Sequence, residues 1–290
     1  MPTLNGPDFI CIGMAKAGTS WLYDQLNGHP DFWMPRVKEL QYLHHPVPKL
    51  QNLEKHLNQL NRAIERRRSP APGKRGNDAR QLAFLEEARA LAGRPRDIDR
   101  YAALFRHKGE QLSGDISPPY ASLEDETIVE ICRHLPHVKI LFFVREPLER
   151  FWSSLSMNHR RGRFDTSLLD EPSRFRSHFE ETRLNDRLFP SRILARWRRC
   201  APQVQLCHVL FDDIAADSKR ARSQLLQFLG GNPDKESEVA PDYNRKANAA
   251  KLPLTGSIKA MLLGYFADEI RVCADVFGGS ARSWAGRYGL

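Results

Sequence analysis

Residues 9–21 read Phe9-Ile10-Cys11-Ile12-Gly13-Met14-Ala15-Lys16-Ala17-Gly18-Thr19-Ser20-Trp21, and this stretch restricts the chain to few architectures. Apolar residues ending in glycine predict a buried strand, and hydroxyl residues after a loop of small side chains open a helical pattern. Strand, loop and helix in that order belong to α/β folds. Gly13 and Gly18 let the backbone turn tightly, so that amide N–H groups at the helix start converge on an anion. Lys16 adds a full positive charge inside that cradle. The two glycines keep the spacing of the Walker loop of nucleotide hydrolases. Lys16, however, lies within the loop and Thr19 follows Gly18 directly, so the Gly-Lys-Ser/Thr ending is missing. A purely structural loop, or one for another nucleotide, satisfies these residues as well.

A chain of 290 residues accommodates one large α/β domain, and residues 1–290 are read as such, with an added helical segment at about 50–110. A hydrophobic content of 41% and a charged content of 27% exclude disorder throughout. The 44 Lys and Arg against 35 Asp and Glu leave +9, which suits an anionic ligand, a nucleic acid or an acidic surface. Aromatics are not interleaved with the basic runs, and neither zinc-finger spacing nor a basic zipper occurs, which argues against a dedicated nucleic-acid binder. Cys11, Cys132, Cys200, Cys207 and Cys273 lack paired metal-ligand spacing and read as free, mainly buried thiols. With no basic segment leading a long apolar run, and no stretch of about 18 apolar residues, the expectation is a soluble cytoplasmic protein without a membrane span.

Further along, Leu22 and Leu26 continue a helical stripe that Gly28-His29-Pro30 stops. The segment 34–43 reads as a short strand or turn carrying Lys38 and Glu39 back toward the loop. In the helical segment, Leu53, Leu57, Leu60 and Ile64 form one stripe and Ile98, Tyr101, Leu104 and Phe105 another. Between them, residues 66–76 combine arginines with Pro and Gly, predicting an exposed mobile loop. Leu112 to Tyr120 predicts a short strand broken by Pro118 and Pro119, and Ile128, Ile131, Cys132 and Leu135 lie on one helix face.

Val138 to Val144 is apolar enough to lie in the middle of a sheet covered on both faces, with Arg145 at its carboxyl end, where open α/β sheets bind ligands. Pro147 suits the first turn of a helix whose Leu148, Phe151, Trp152 and Leu155 form the buried stripe. At about 100° per residue, Ser153 falls about 140° and Arg150 about 200° from Leu148, which places both off that stripe and free to meet a ligand. Residues 159–200 are polar, and Arg160-Arg161-Gly162-Arg163 is a candidate acceptor contact there. Gln205 to Asp213 reads as a strand ending in two acids, either a metal-binding pair or plain helix caps. Ala221, Leu225, Leu226 and Leu229 give a helix that Gly230-Gly231-Asn232-Pro233 ends. A last helix carries Ile258, Met261, Leu262 and Tyr265, with the Trp284 tail expected to fold back.

Two of these stretches together resemble a known family. Lys16-Ala17-Gly18-Thr19-Ser20-Trp21 after an apolar strand is similar to the 5′-phosphosulfate loop of sulfotransferases that use 3′-phosphoadenosine 5′-phosphosulfate (PAPS). Arg145 at a strand end, Pro147 two on and Ser153 eight on resemble their 3′-phosphate motif. The short spacing from Lys16 to Glu39 makes the heparan sulfate sulfotransferase type the nearest analogy in spacing. The resemblance covers residues 9 to about 250 apart from the helical segment. It implies a P-loop nucleotide-kinase-like fold, a central mainly parallel sheet flanked by helices.

The resemblance further implies transfer of a sulfuryl group to a hydroxyl or amine of a glycan or small molecule, with no metal required. Lys16 and Glu39 would be the catalytic pair, Glu39 taking the acceptor's proton unless His44 or His45 does so. Lys16, Ala17, Gly18, Thr19, Ser20, Trp21, Arg145 and Ser153 would bind the donor. Arg245 and Lys246, in Asn244-Arg245-Lys246-Ala247-Asn248, would close over its 3′-phosphate, or form only an exposed basic turn. The alternatives are a nucleotide-dependent kinase with Asp212 as magnesium ligand, which the missing Gly-Lys-Ser/Thr ending opposes, and a non-enzymatic basic polyanion-binding protein.

Overall fold

The computed structural model describes residues 6–49, 53–66, 74–182, 188–244 and 249–290. Its centre is a four-stranded sheet of β1 (Phe9–Gly13), β2 (Gly114–Ile116), β3 (Lys139–Val144) and β4 (Leu206–Leu210) in the order β2-β1-β3-β4, every pairing parallel. Phe9 faces Gly114 on one side and Lys139 on the other, and Ile140 faces Leu206. β1 and β3 are central because their apolar runs tolerate helices on both faces: residues 9–12 and 140–144 are wholly buried.

Helices α1 (Thr19–Asn27), α2 (Leu53–Arg66), α3 (Lys74–Leu91), α4 (Ile98–Leu104), α5 (Asp125–His134) and α6 (Pro147–Arg160) fill the first part of the chain. They are followed by α7 (Pro172–Thr182), α8 (Pro190–Cys200), α9 (Phe211–Ala216), α10 (Ser218–Leu229) and α11 (Gly256–Phe277). This is the α/β class, with a parallel sheet flanked by helices, that the sequence implies. α5 shows why local sequence suffices: Ile128, Ile131 and Cys132 are buried on one face, acids occupy its first turn and Arg133 and His134 its last, complementing the dipole. In α6, Pro147 fits the first turn, and the Glu146 carboxylate accepts from the N–H groups of Leu148 and Glu149 at 2.8 and 2.7 Å.

α2, α3 and α4 form the helical segment expected at about 50–110. Leu53, Leu57 and Leu60 are buried, but Ile64 is 37% exposed because the stripe outlasts its cover. Of the stretch 66–76 expected as a loop, Arg66 closes α2 and residues 74–76 open α3, while 67–73 lie outside the described residues. α3 braces the segment that leads to Lys38. Asn77 accepts from the Trp33 indole at 3.0 Å, Gln81 bonds the Arg36 N–H and the Met34 carbonyl at 2.8 Å each, and Asp78 pairs with Arg36 at 3.3 Å. Segment 34–43 is a loop with a single helical turn, Tyr42–His44, and the nearest pairing to it is an isolated bridge between Phe32 and Leu112.

One expectation fails on packing. Arg150 is not on an open face but buried, at 6% exposure, and burial brings its guanidinium down to about 10. Glu146, one turn before Arg150, accepts from Tyr288 of the C-terminal tail at 3.0 Å. The same tail explains the acid pair after β4. Asp212 accepts from the Trp284 indole at 2.9 Å and from Arg287 at 3.0 Å, and Asp213 accepts from the Ser280 hydroxyl. Trp284 is fully buried, as expected of a tail that folds back.

All cysteines are free; Cys11, Cys132 and Cys273 are buried, and burial pushes the Cys11 and Cys132 thiols up to about 12. Among the described residues, no helix is long and apolar enough to cross a membrane.

Candidate active site

The carboxyl ends of all four strands open onto one cleft of about 320 Å³. The loop after β1 forms its floor. Gly18 sits at φ 109° directly before α1, a conformation glycine adopts without penalty, and Lys16 itself is left-handed at φ 70°. The first intrahelical bond runs from the Leu22 N–H to the Gly18 carbonyl at 3.1 Å, so the amides of the opening turn have no partner within the helix. Lys16, Gly18, Thr19, Ser20 and Trp21 line the cleft, whereas Ala17 is buried and its N–H bonds the Met14 carbonyl at 3.2 Å.

Arg145 enters from the end of β3 and Ser153 from α6. The Arg145 guanidinium lies 4.6 Å from the centre of the Phe211 ring, donates to Glu149 at 2.9 Å, and reaches the Lys16 carbonyl at 3.5 Å. The end of β3 and the loop after β1 thus touch through one side chain. On the opposite wall, Lys38 donates to the Thr19 hydroxyl and to Glu39, both at 3.3 Å, and Gln41 donates to Glu39 at 3.1 Å. Glu39 faces the cleft; His44 and His45 are not among its lining residues.

What holds Glu39 there is a buried cluster of hydroxyls around one carboxylate of β2, Asp115. Asp115 accepts from Ser117 at 2.6 Å, Tyr120 at 2.6 Å and Tyr101 at 3.1 Å. Ser117 and Tyr120 in turn accept the N–H groups of Gln41 and Leu43, at 2.9 and 3.2 Å, which ties the Glu39 segment to the sheet. Burial pushes the Asp115 carboxyl up to about 6 despite these donors.

Arg245 and Lys246 lie outside the described residues. Their flanks are firmly held: the Trp21 indole donates to the Pro241 carbonyl at 2.7 Å and Gln25 to that of Ala240 at 2.9 Å. Beyond them, the Trp152 indole donates to the Leu252 carbonyl at 2.9 Å, Ser156 accepts its N–H at 3.1 Å, and Arg160 donates to Ala250. Asn244 and Lys251 line the cleft, as do Arg160 and Arg161. Sequence reading names Asn244 only as the start of the basic stretch and passes over Lys251; their segments are held by side-chain to backbone bonds from α1 and α6.

The family follows from sequence comparison. The model of the sulfotransferase family matches residues 7–234, and the chain belongs to that family. It is therefore a sulfotransferase. In fold it is similar to a sulfotransferase from Alicyclobacillus acidocaldarius, with a TM-score of 0.62, 22% identity, and 96% of this chain and 98% of that one covered. The sulfotransferase domain of the Synechococcus PCC 7002 olefin synthase aligns at a TM-score of 0.42 and 18% identity, covering 92% and 97%. No curated protein sequence matches the chain. Membership replaces the kinase and polyanion-binding alternatives, and Asp212 is engaged by the tail.

Proposed function

We propose that the protein transfers a sulfuryl group from PAPS to an acceptor hydroxyl or amine, and that residues 1–290 work as one catalytic domain including the helical segment. The observation that carries this reading is convergence: Lys16, Lys38, Arg145 and Ser153 come from separate segments and line one cleft. Arg160, Arg161 and Lys251 add charge, and among the described lining residues Glu39 is the sole carboxylate. Such a donor set fits a multiply charged anion.

The donor, when bound, supplies the sulfuryl group and departs as adenosine 3′,5′-bisphosphate. Arg145 and Ser153 hold the 3′-phosphate through a charge-assisted and a neutral hydrogen bond, with Arg145 releasing Glu149 to do so. Lys16 and the opening amides of α1 hold the 5′-phosphate end. As the sulfur–oxygen bond to the leaving group breaks, Lys16 neutralises charge growing on the bridging oxygen. Glu39 takes the proton that the acceptor loses as its bond to sulfur forms, and Lys38 keeps that carboxylate beside the loop. Arg245 and Lys246 add positive charge over the 3′-phosphate, a role supported by the anchored flanks on both sides. The acceptor class stays at hydroxyl or amine, on a glycan or a small molecule. Free thiols fit a reducing compartment such as the cytoplasm.

The test is incubation with radiolabelled PAPS and a panel of hydroxyl and amine acceptors, with mass detection of products. Release of adenosine 3′,5′-bisphosphate coupled to a sulfated acceptor is expected. Magnesium-dependent ATP turnover without that release overturns the reading.

A further inference from the structure

Arg145 does not stand alone at its end of the cleft. Glu149, one turn further along α6, offers Oε2 to Arg145 at 2.9 Å, while its Oε1 lies 3.6 Å from Arg287 in the C-terminal tail. Arg287 is itself held by Asp212 at 3.0 Å, and its neighbours are pinned by the Trp284–Asp212 and Tyr288–Glu146 bonds. The result is a line of alternating charge, Asp212, Arg287, Glu149, Arg145. A second cavity of about 520 Å³ is lined by Arg145, Glu149, Ser153, Lys259 and Arg287, so Glu149 faces a space that adjoins the cleft through the shared Arg145 and Ser153.

That arrangement poses an electrostatic problem. A phosphate dianion brought to Arg145 and Ser153 takes the guanidinium away from Glu149 and sets two like charges side by side. We propose that Arg287 is the countercharge that retains Glu149 when Arg145 turns to the donor's 3′-phosphate, making it a positioning residue for 3′-phosphate selectivity. The inference rests on the reading of Arg145 and Ser153 given under Proposed function. It reaches beyond the matched family stretch, which ends at residue 234.

Arg287 already occupies the Glu149 oxygen that Arg145 leaves open, so no rearrangement of the tail is required. Asp212 holds one nitrogen of the Arg287 fork while the other lies toward Glu149. Both Arg287 and Glu149 are about one-third exposed, at 34% and 37%, so solvent screening limits the effect and makes it dependent on salt.

The experiment is titration of adenosine 3′,5′-bisphosphate and of AMP, at low ionic strength, into wild type, Arg287→Gln, Arg287→Lys and the double variant Glu149→Gln/Arg287→Gln. Thermal melts confirm folding. Arg287→Gln, which can still bond Asp212, is expected to weaken the bisphosphate about tenfold and to leave AMP within about twofold, the scale of one uncompensated charge at a screened site. Arg287→Lys keeps the charge and the selectivity. Adding Glu149→Gln restores bisphosphate affinity to within about threefold of wild type, because the repelling charge is gone. Equal loss for both nucleotides, a selective loss that Glu149→Gln does not restore, or a loss in Arg287→Lys as large as in Arg287→Gln each overturns the countercharge role. Wild type that prefers the bisphosphate, beside an Arg287→Gln variant with the same preference, overturns it too. Wild type that binds the bisphosphate no better than AMP instead overturns the underlying assignment of Arg145 and Ser153.

Discussion

Lys38 reaches the Thr19 hydroxyl at 3.3 Å, so a single ammonium joins the phosphate loop to the segment that carries Glu39. The same nitrogen lies 3.3 Å from Glu39, so one cation bridges the loop hydroxyl and the carboxylate.

Glu39→Gln preserves shape and removes the proton acceptor. Sulfuryl transfer should fall by roughly 10²–10⁴-fold, with binding of adenosine 3′,5′-bisphosphate nearly unchanged. Retained transfer in Glu39→Gln, with loss in His44→Ala or His45→Ala, would move the role to histidine.

For Lys16→Ala, the expected signature is a larger fall in turnover than in affinity for the sulfate-free product, since the charge that Lys16 opposes is greatest in the transition state. Single-turnover kinetics beside product titration separates the two. Turnover close to wild type at saturating donor removes Lys16 from the mechanism.

Arg145→Ala should cost adenosine 3′,5′-bisphosphate about 1.5–3 kcal/mol of binding and AMP little, the scale of a hydrogen bond between charged groups. Calorimetry on both nucleotides decides. Equal weakening with the fold intact would show that Arg145 does not read the 3′-phosphate.

Asp115 gives a prediction for stability against pH. Its carboxyl is raised from 3.8 to about 6 in the folded protein, chiefly by burial. Folding therefore favours the protonated form. The associated stability is fully present below the unfolded value and is lost as pH rises through about 6, a change on the order of 3 kcal/mol. Urea unfolding of wild type minus Asp115→Asn, measured from pH 4 to pH 7, should show this slope. Asp115→Asn should also be less stable throughout, because its amide nitrogen would face hydroxyl donors from Ser117, Tyr120 and Tyr101. A difference that is flat with pH contradicts the assignment.

The parts of the site legible in sequence are those specified by adjacent residues. The strand, loop and helix through Lys16 and Thr19 follow from apolar runs and glycine placement, and Arg145 with Ser153 follows from a strand end and a helical angle. Arg150 shares that local pattern with Ser153, yet Arg150 is buried and Ser153 lines the cleft. The distinction is made by tertiary packing, about which helical periodicity carries no information. Asp115 reads only as part of a short strand, whereas its partners Ser117 and Tyr120 show it bracing Gln41 and Leu43. α7 and α8 escaped because residues 159–200 are polar on the whole, although Ile193, Leu194 and Trp197 do form a buried stripe on α8.

The central place of β1 also dictates an order of events as the chain leaves the ribosome. Phe9 has no neighbour until Gly114 and Lys139 have been made, and Met14, first in the loop, is tied to the Phe143 carbonyl at 2.6 Å. Pairings this distant in sequence are slow to close, and an apolar strand waiting for them is exposed to wrong partners. Nascent chains that end before β3 therefore carry every residue of the loop after β1 without the strand that fixes its first residue.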